Sequence, residues 1–172
     1  MITKIRKQEI LEEAKKYHGK SLYEIIRLYD DLSVLTADLS QLNISPTPSG
    51  LILFSEKKYK IYIHDGCNEN RKRFTLAHEI GHYCLHKDYL QDTGPFIDND
   101  NTLYNRPGYI DLPEDVKNKE EEANFFAAEI LMPGNLVKEA YNKNDSIEKL
   151  ANFFSVSAEA MFYRLKNLSL IS

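Results

Sequence analysis

Five residues, His78-Glu79-Ile80-Gly81-His82, constrain this chain more than any other stretch. They read H-E-x-x-H inside an apolar, helix-patterned run from Phe74 to Leu85. A helix turns about 100° per residue, so positions i and i+4 share a face. Both imidazoles can then offer a nitrogen to one metal ion. Glu79 follows the first of them and is placed to act as a base on water. This is the arrangement of zinc-dependent peptide hydrolases. The pattern also has a bland source: two histidines four apart arise by chance, and a histidine on an apolar face is commonly a satisfied core residue. The rest of the chain has to decide.

At 172 residues the chain suits one domain, with room for a small appendage. Its formal charge of −4 argues against a general nucleic-acid binder, which needs a basic surface. Two cysteines, Cys67 and Cys84, imply no disulfide framework. Cys84 follows the motif on the same helix, but its helical direction differs from that of the histidines, and it reads as a small buried hydrophobe. The first residues, Met1 to Lys7, are charged and lack the apolar core of a signal peptide. No apolar run approaches the length that spans a membrane. The cytoplasm is the default compartment.

Helical spacing of Ile10, Leu11, Ala14 and Tyr17 predicts a helix over 6–18, stopped by Gly19. Ser21 can cap a second, with Leu22, Ile25, Ile26 and Tyr29 on its apolar side. Val34 to Leu39 reads as a short strand, and 43–50 as a loop. Leu51 to Phe54 and Tyr59 to Ile63 flank a polar turn, which predicts a β-hairpin with one buried face. Asn68 can cap the motif helix, expected over about 69–87. Gly81 inside it gives up roughly 1 kcal/mol of helix propensity and lets another backbone or a substrate come close. Residues 88–117 are rich in Asp, Asn, Gly and Pro and read as a long irregular, substrate-facing loop. A helix follows over 114–132, with a short one near Leu136 to Tyr141. Asp145 with Glu148 reads as a capping box, and Ser157 can cap a last helix. The expected domains are 1–142 and a helical appendage, 143–172.

A catalytic zinc normally takes three protein ligands and leaves a fourth position for water. His86, four residues past His82, is a poor third ligand. On a continuous helix it is rotated about 80° from His78 and lies about 12 Å further along. The metzincin pattern solves this by ending the helix at a Gly, and no Gly lies between His82 and His86. His86 therefore reads as a residue behind the ligands, a substrate contact or a helix end. The other source is Glu120-Glu121-Glu122, which stands before the apolar surface of the next helix. Carboxylates favour helix starts for their own electrostatic reasons. At least one of the three should nonetheless face inward.

Here the chain resembles a known family. The segments Arg73 to Tyr83 and Glu120 to Pro133 are similar to the two signatures of the ImmA/IrrE metallo-endopeptidases. Leu150 to Leu168 resembles that family's closing segment, and the hairpin matches as well. The resemblance covers about residues 20 to 170. It implies a small α+β, zincin-like peptidase domain, a small antiparallel or mixed sheet packed on helices, with a helix-turn-helix-like C-terminal pair. The family pattern E-x-x-A-N-x-F-A, laid on this chain, makes Glu120 the third ligand beside His78 and His82. Glu122 is the runner-up in that register. Asn124 would back a ligand, and Glu79 would be the catalytic base. The implied cofactor is one Zn2+, though two imidazoles and a carboxylate also suit Mn2+. Tyr104, Tyr109 and His86 are candidates to contact substrate or stabilise an oxyanion. The implied partner is a protein substrate, a helix-turn-helix repressor encoded nearby.

The C-terminal pair supports a competing class, a non-hydrolytic interaction or DNA-binding module such as one half of a toxin–antitoxin pair. Residues 146–168 hold Lys149, Arg164 and Lys166 against Glu148 and Glu159, a weak charge for gripping phosphates. Glu79 also argues against a scaffold, which needs no base beside a metal.

Overall fold

The computed structural model describes residues 2–93, 96–98, 113–141 and 146–171. Two helices open the chain, α1 (Lys4–Lys15) and α2 (Leu22–Ile26). Strand β1 (Leu32–Ala37) leads through a short 3-10 turn, Leu39–Leu42, to the hairpin β2 (Gly50–Ser55) and β3 (Lys58–His64). Helix α3 (Glu69–Leu85), helix α4 (Lys87–Thr93) and strand β4 (Phe96–Asp98) follow. The chain then forms α5 (Glu114–Leu131), α6 (Gly134–Tyr141), α7 (Ile147–Phe154) and α8 (Ala158–Asn167).

The sheet is mixed, in the order β1-β3-β2-β4. β1 runs parallel to β3, while β2 is antiparallel to both β3 and β4. The hairpin turn places Glu56 and Lys57 both in the left-handed region, φ 54° and 62°. That backbone matches the right-handed twist of the strands, even without the Asn-Gly that favours it. Tyr59, Ile61 and Ile63 alternate into the core, as the period of two requires. They join Ile52 of β2 and Leu76, Ala77, Ile80 and Tyr83 of α3 in one apolar cluster.

Helix α3 starts where Asn68 accepts a hydrogen bond from the Arg71 N–H at 2.9 Å. It crosses α5 at Gly81. A Cβ there would stand 3.1 Å from the Ala123 carbonyl oxygen and 3.1 Å from a Phe126 ring carbon. The glycine thus admits the backbone of α5.

Four expectations shift. β1 runs over Leu32–Ala37, and Leu39 begins the 3-10 turn that Asp38 caps. α3 ends at Leu85, because His86 leaves helical geometry at φ −133° and ψ 28°. The stretch read as irregular contains α4 and β4. α4 is anchored by the fully buried Leu90, too short a stripe to register as a period. Finally, Ser146 caps α7 by accepting from the Lys149 N–H, 3.3 Å away. Asp145 lies outside the described residues.

The last two helices are tied to the rest by charged groups. Arg73 of α3 donates to the carbonyls of Phe154 and Ser155 at 2.6 and 2.7 Å. Arg164 of α8 is 2% exposed, pairs with Glu129 of α5 at 2.7 Å and donates to the Met132 carbonyl. Among the described residues, no helix is long and apolar enough to cross a membrane.

Candidate metal centre

One turn of α3 separates His78 from His82, and both rings turn to the same point. Their Nε2 atoms lie 2.9 Å apart. Helix α5 brings Glu120 to that point, with carboxylate oxygens 3.3 Å from His78 Nε2 and 3.6 Å from His82 Nε2. Two imidazole nitrogens and one carboxylate oxygen thus converge. This donor set fits a divalent ion of the zinc type. The two imidazoles are almost wholly buried.

Behind the donors, Asn124 stands one turn after Glu120 on α5. Its side-chain oxygen lies 2.9 Å from His78 Nδ1. A ligand histidine usually gives its second N–H to such a group, which fixes ring and tautomer. His86 caps the end of α3, and its Nδ1 is 3.0 Å from His82 Nδ1. Glu122, the alternative third ligand, points elsewhere. Its Oε2 is 3.0 Å from His86 Nε2 and accepts from Arg6 at 2.7 Å. Glu121 accepts from the backbone N–H of Ile2. The three consecutive glutamates therefore face three different partners.

Glu79 is fully buried, on the sheet side of α3. A Cβ on Gly50, at the start of β2, would stand 3.4 Å from Glu79 Oε1 and only 2.3 Å from Thr75 Cγ2. Glycine at that rung lets the sheet close over the base. Tyr104 and Tyr109 lie outside the described residues.

Burial pushes the His82 imidazole down to about 4, and the neighbouring His78 pushes the same way. The neutral ring is the form that ligates a metal. Burial alone would raise Glu120, but hydrogen bonds to His78 and His82 outweigh it and hold the carboxyl far below the usual range. The same contest at Glu122 ends at about 2, with His86 and Arg6 winning over burial. Cys84 plays no part in this cluster. Its Sγ rests 3.6 Å from the Tyr17 hydroxyl, and burial lifts its thiol to about 11. A thiol so placed is a poor nucleophile and metal ligand at neutral pH.

Sequence reasoning missed Arg6. It sits in a run of exposed charges on α1, and no local spacing singles it out. A second cluster, Asp38, His64 and Asp65, also gathers, but its two carboxylates are exposed. Asp38 there already caps the 3-10 turn through Ser40 and Gln41.

A mixed sheet backed by a helix bearing H-E-x-x-H, with a carboxylate arriving from a second helix, defines a metallopeptidase type of architecture. The family model of the IrrE N-terminal-like domain, Peptidase_M78, matches residues 34–166. The chain belongs to this ImmA/IrrE family of metallopeptidases. It is 28% identical over 161 residues to Metallopeptidase ImmA of Bacillus subtilis (strain 168), covering 91% of this chain and 82% of that protein. It is 27% identical over 155 residues to the uncharacterized immunity region protein 2 of Bacillus phage phi105, covering 90% and 84%. A Mycobacterium tuberculosis transcriptional regulator shares the fold at TM-score 0.60 and 15% identity. That match covers 95% of this chain and 47% of the regulator, so this chain spans just under half of it.

Proposed function

We propose that the protein is a zinc-dependent endopeptidase that cuts one peptide bond in a regulatory protein of the helix-turn-helix repressor kind. The observation that carries this reading is the convergence of His78 Nε2, His82 Nε2 and a Glu120 oxygen, with the buried Glu79 following His78 on α3. His78, His82 and Glu120 would hold the ion. When bound, it supplies Lewis acidity, activating water and polarising the scissile carbonyl.

The remaining work falls to the chain. A Glu79 carboxylate oxygen takes the proton of the attacking water and later gives it to the leaving amine. Asn124 orients His78. The substrate runs extended beside β4, the edge strand that pairs with β2 at the Gly50–Asp98 rung. That rung adjoins Glu79. The repressor class of substrate is supported by the names of the two Bacillus relatives, a metallopeptidase and an immunity region protein.

The DNA-binding alternative is weakened by one contact. Arg164, one of three basic groups of the C-terminal pair, is buried against Glu129 and cannot reach a phosphate.

The test is elemental analysis of purified protein, wild type beside His82→Ala and Glu79→Gln, followed by incubation with the helix-turn-helix protein encoded nearest to it. Expected are about one zinc per chain in wild type and Glu79→Gln, none in His82→Ala, and cleavage by wild type alone. Cleavage by Glu79→Gln at the wild-type rate would remove Glu79 as the base. No zinc in wild type after zinc is added back would sink the reading.

A further inference from the structure

A file of hydrogen bonds leads from His82 towards the surface. His82 Nδ1 lies 3.0 Å from His86 Nδ1. His86 Nε2 lies 3.0 Å from Glu122 Oε2. That same oxygen accepts from Arg6 Nη2 at 2.7 Å. His82 and His86 are buried, and the Glu122 side chain is 13% exposed.

With a neutral His86, the chemistry of the two ends sets the direction of every bond between them. A guanidinium only donates, so Glu122 is the ionised acceptor. His86 Nε2 must then carry its proton to bond Glu122. A neutral His86 is left with an unprotonated Nδ1, which can only accept. His82 must therefore keep its proton on Nδ1 and its lone pair on Nε2, the atom turned towards His78 and Glu120.

We propose that Arg6 is a positioning residue for the metal centre: through Glu122 and His86 it holds His82 in the tautomer and ring orientation that offer Nε2 to a metal. This rests on the reading of the site as a metal centre and adds to it a residue outside the stretch that the family model matches, since Arg6 precedes residue 34. The known device of a carboxylate behind a ligand histidine is here lengthened by one imidazole and a guanidinium. His78 is served differently, by an amide from α5. An ordinary surface pairing predicts little for Arg6. Its bond to Glu9, three residues on and well exposed, is of that kind. The bond to Glu122 differs because its far end is a buried histidine.

The experiment compares wild type with Arg6→Ala, Arg6→Lys, His86→Ala and the double variant Arg6→Ala/His86→Ala, all as full chains. Zinc affinity is read by competition with a chromophoric chelator. The protonated nitrogen of His82 is read from long-range proton–nitrogen spectra of the metal-free protein, and thermal unfolding checks the fold. Expected is a weakening of about 10–100-fold for His86→Ala, and about tenfold for Arg6→Ala with partial rescue by Arg6→Lys. The double variant should be no weaker than His86→Ala, because both changes cut one chain. His82 should carry its proton on Nδ1 in wild type and mix tautomers in Arg6→Ala. A wild type that binds zinc, with Arg6→Ala unchanged in affinity and tautomer, overturns the proposal and leaves the metal centre standing. His82 protonated on Nε2 in wild type overturns it as well. A wild type that binds no zinc overturns the metal centre itself, and the proposal with it.

Discussion

At the scale of single residues, the question is which glutamate does what. Glu120 faces the histidine pair, Glu121 the Ile2 backbone and Glu122 the His86–Arg6 pair. Glu120→Ala should abolish stoichiometric zinc binding, whereas Glu122→Ala should weaken it by about 10–100-fold and no more. Titration of both variants against a chelator of known affinity checks this; equal losses, or the reverse order, would reassign the third ligand. The convergence of His78 and His82 is legible in the sequence because helix geometry turns a spacing of four into shared space. The carboxylate that joins them, Glu120, is not legible that way. Three adjacent glutamates point in three directions, and only the family pattern picks one. Arg6 is illegible altogether, since its partner lies 116 positions away and nothing local marks the pair.

At the scale of elements, the α3–α5 crossing sets the distance between the histidines and Glu120. Gly81→Ala gains roughly 1 kcal/mol of helix propensity. It also drives a methyl to 3.1 Å from the Ala123 carbonyl, an overpacking that costs about 1–3 kcal/mol. The net expectation is a lower unfolding midpoint and a weaker zinc site, because the helices must part to make room. A raised midpoint with unchanged zinc affinity would mean the two backbones are not in contact. The sequence carries the long elements well: α1, the hairpin, α3 and α5 each show their period and a cap or a breaker. It hides α4 and β4. One is a two-turn helix with a single deep anchor, and the other is three residues that pair only because β2 lies alongside. Such elements are made by tertiary contact, which no window along the chain contains.

At the scale of the molecule, the C-terminal helices are fastened by a buried charge. Arg164→Met removes the partner of Glu129, which is 5% exposed, and a donor from the Met132 carbonyl. Stranding a carboxylate in this way costs about 3–5 kcal/mol. Urea unfolding of wild type, Arg164→Met and Arg164→Met/Glu129→Leu measures it, and the double variant should recover much of the loss. A single-variant loss under about 1 kcal/mol would place the pair in the class of surface bridges. The same contact has a consequence for motion. At its middle α5 is held from the N-terminal side by Ile2 and Arg6, and at its finish from the C-terminal side by Arg164. A helix moored at its middle and its finish by opposite parts of the chain cannot fray from that half alone. Amides between those moorings should then exchange with solvent only when the whole structure opens, and the candidate metal donor beside them, Glu120, would keep time with the slowest fluctuation of the fold rather than the fastest.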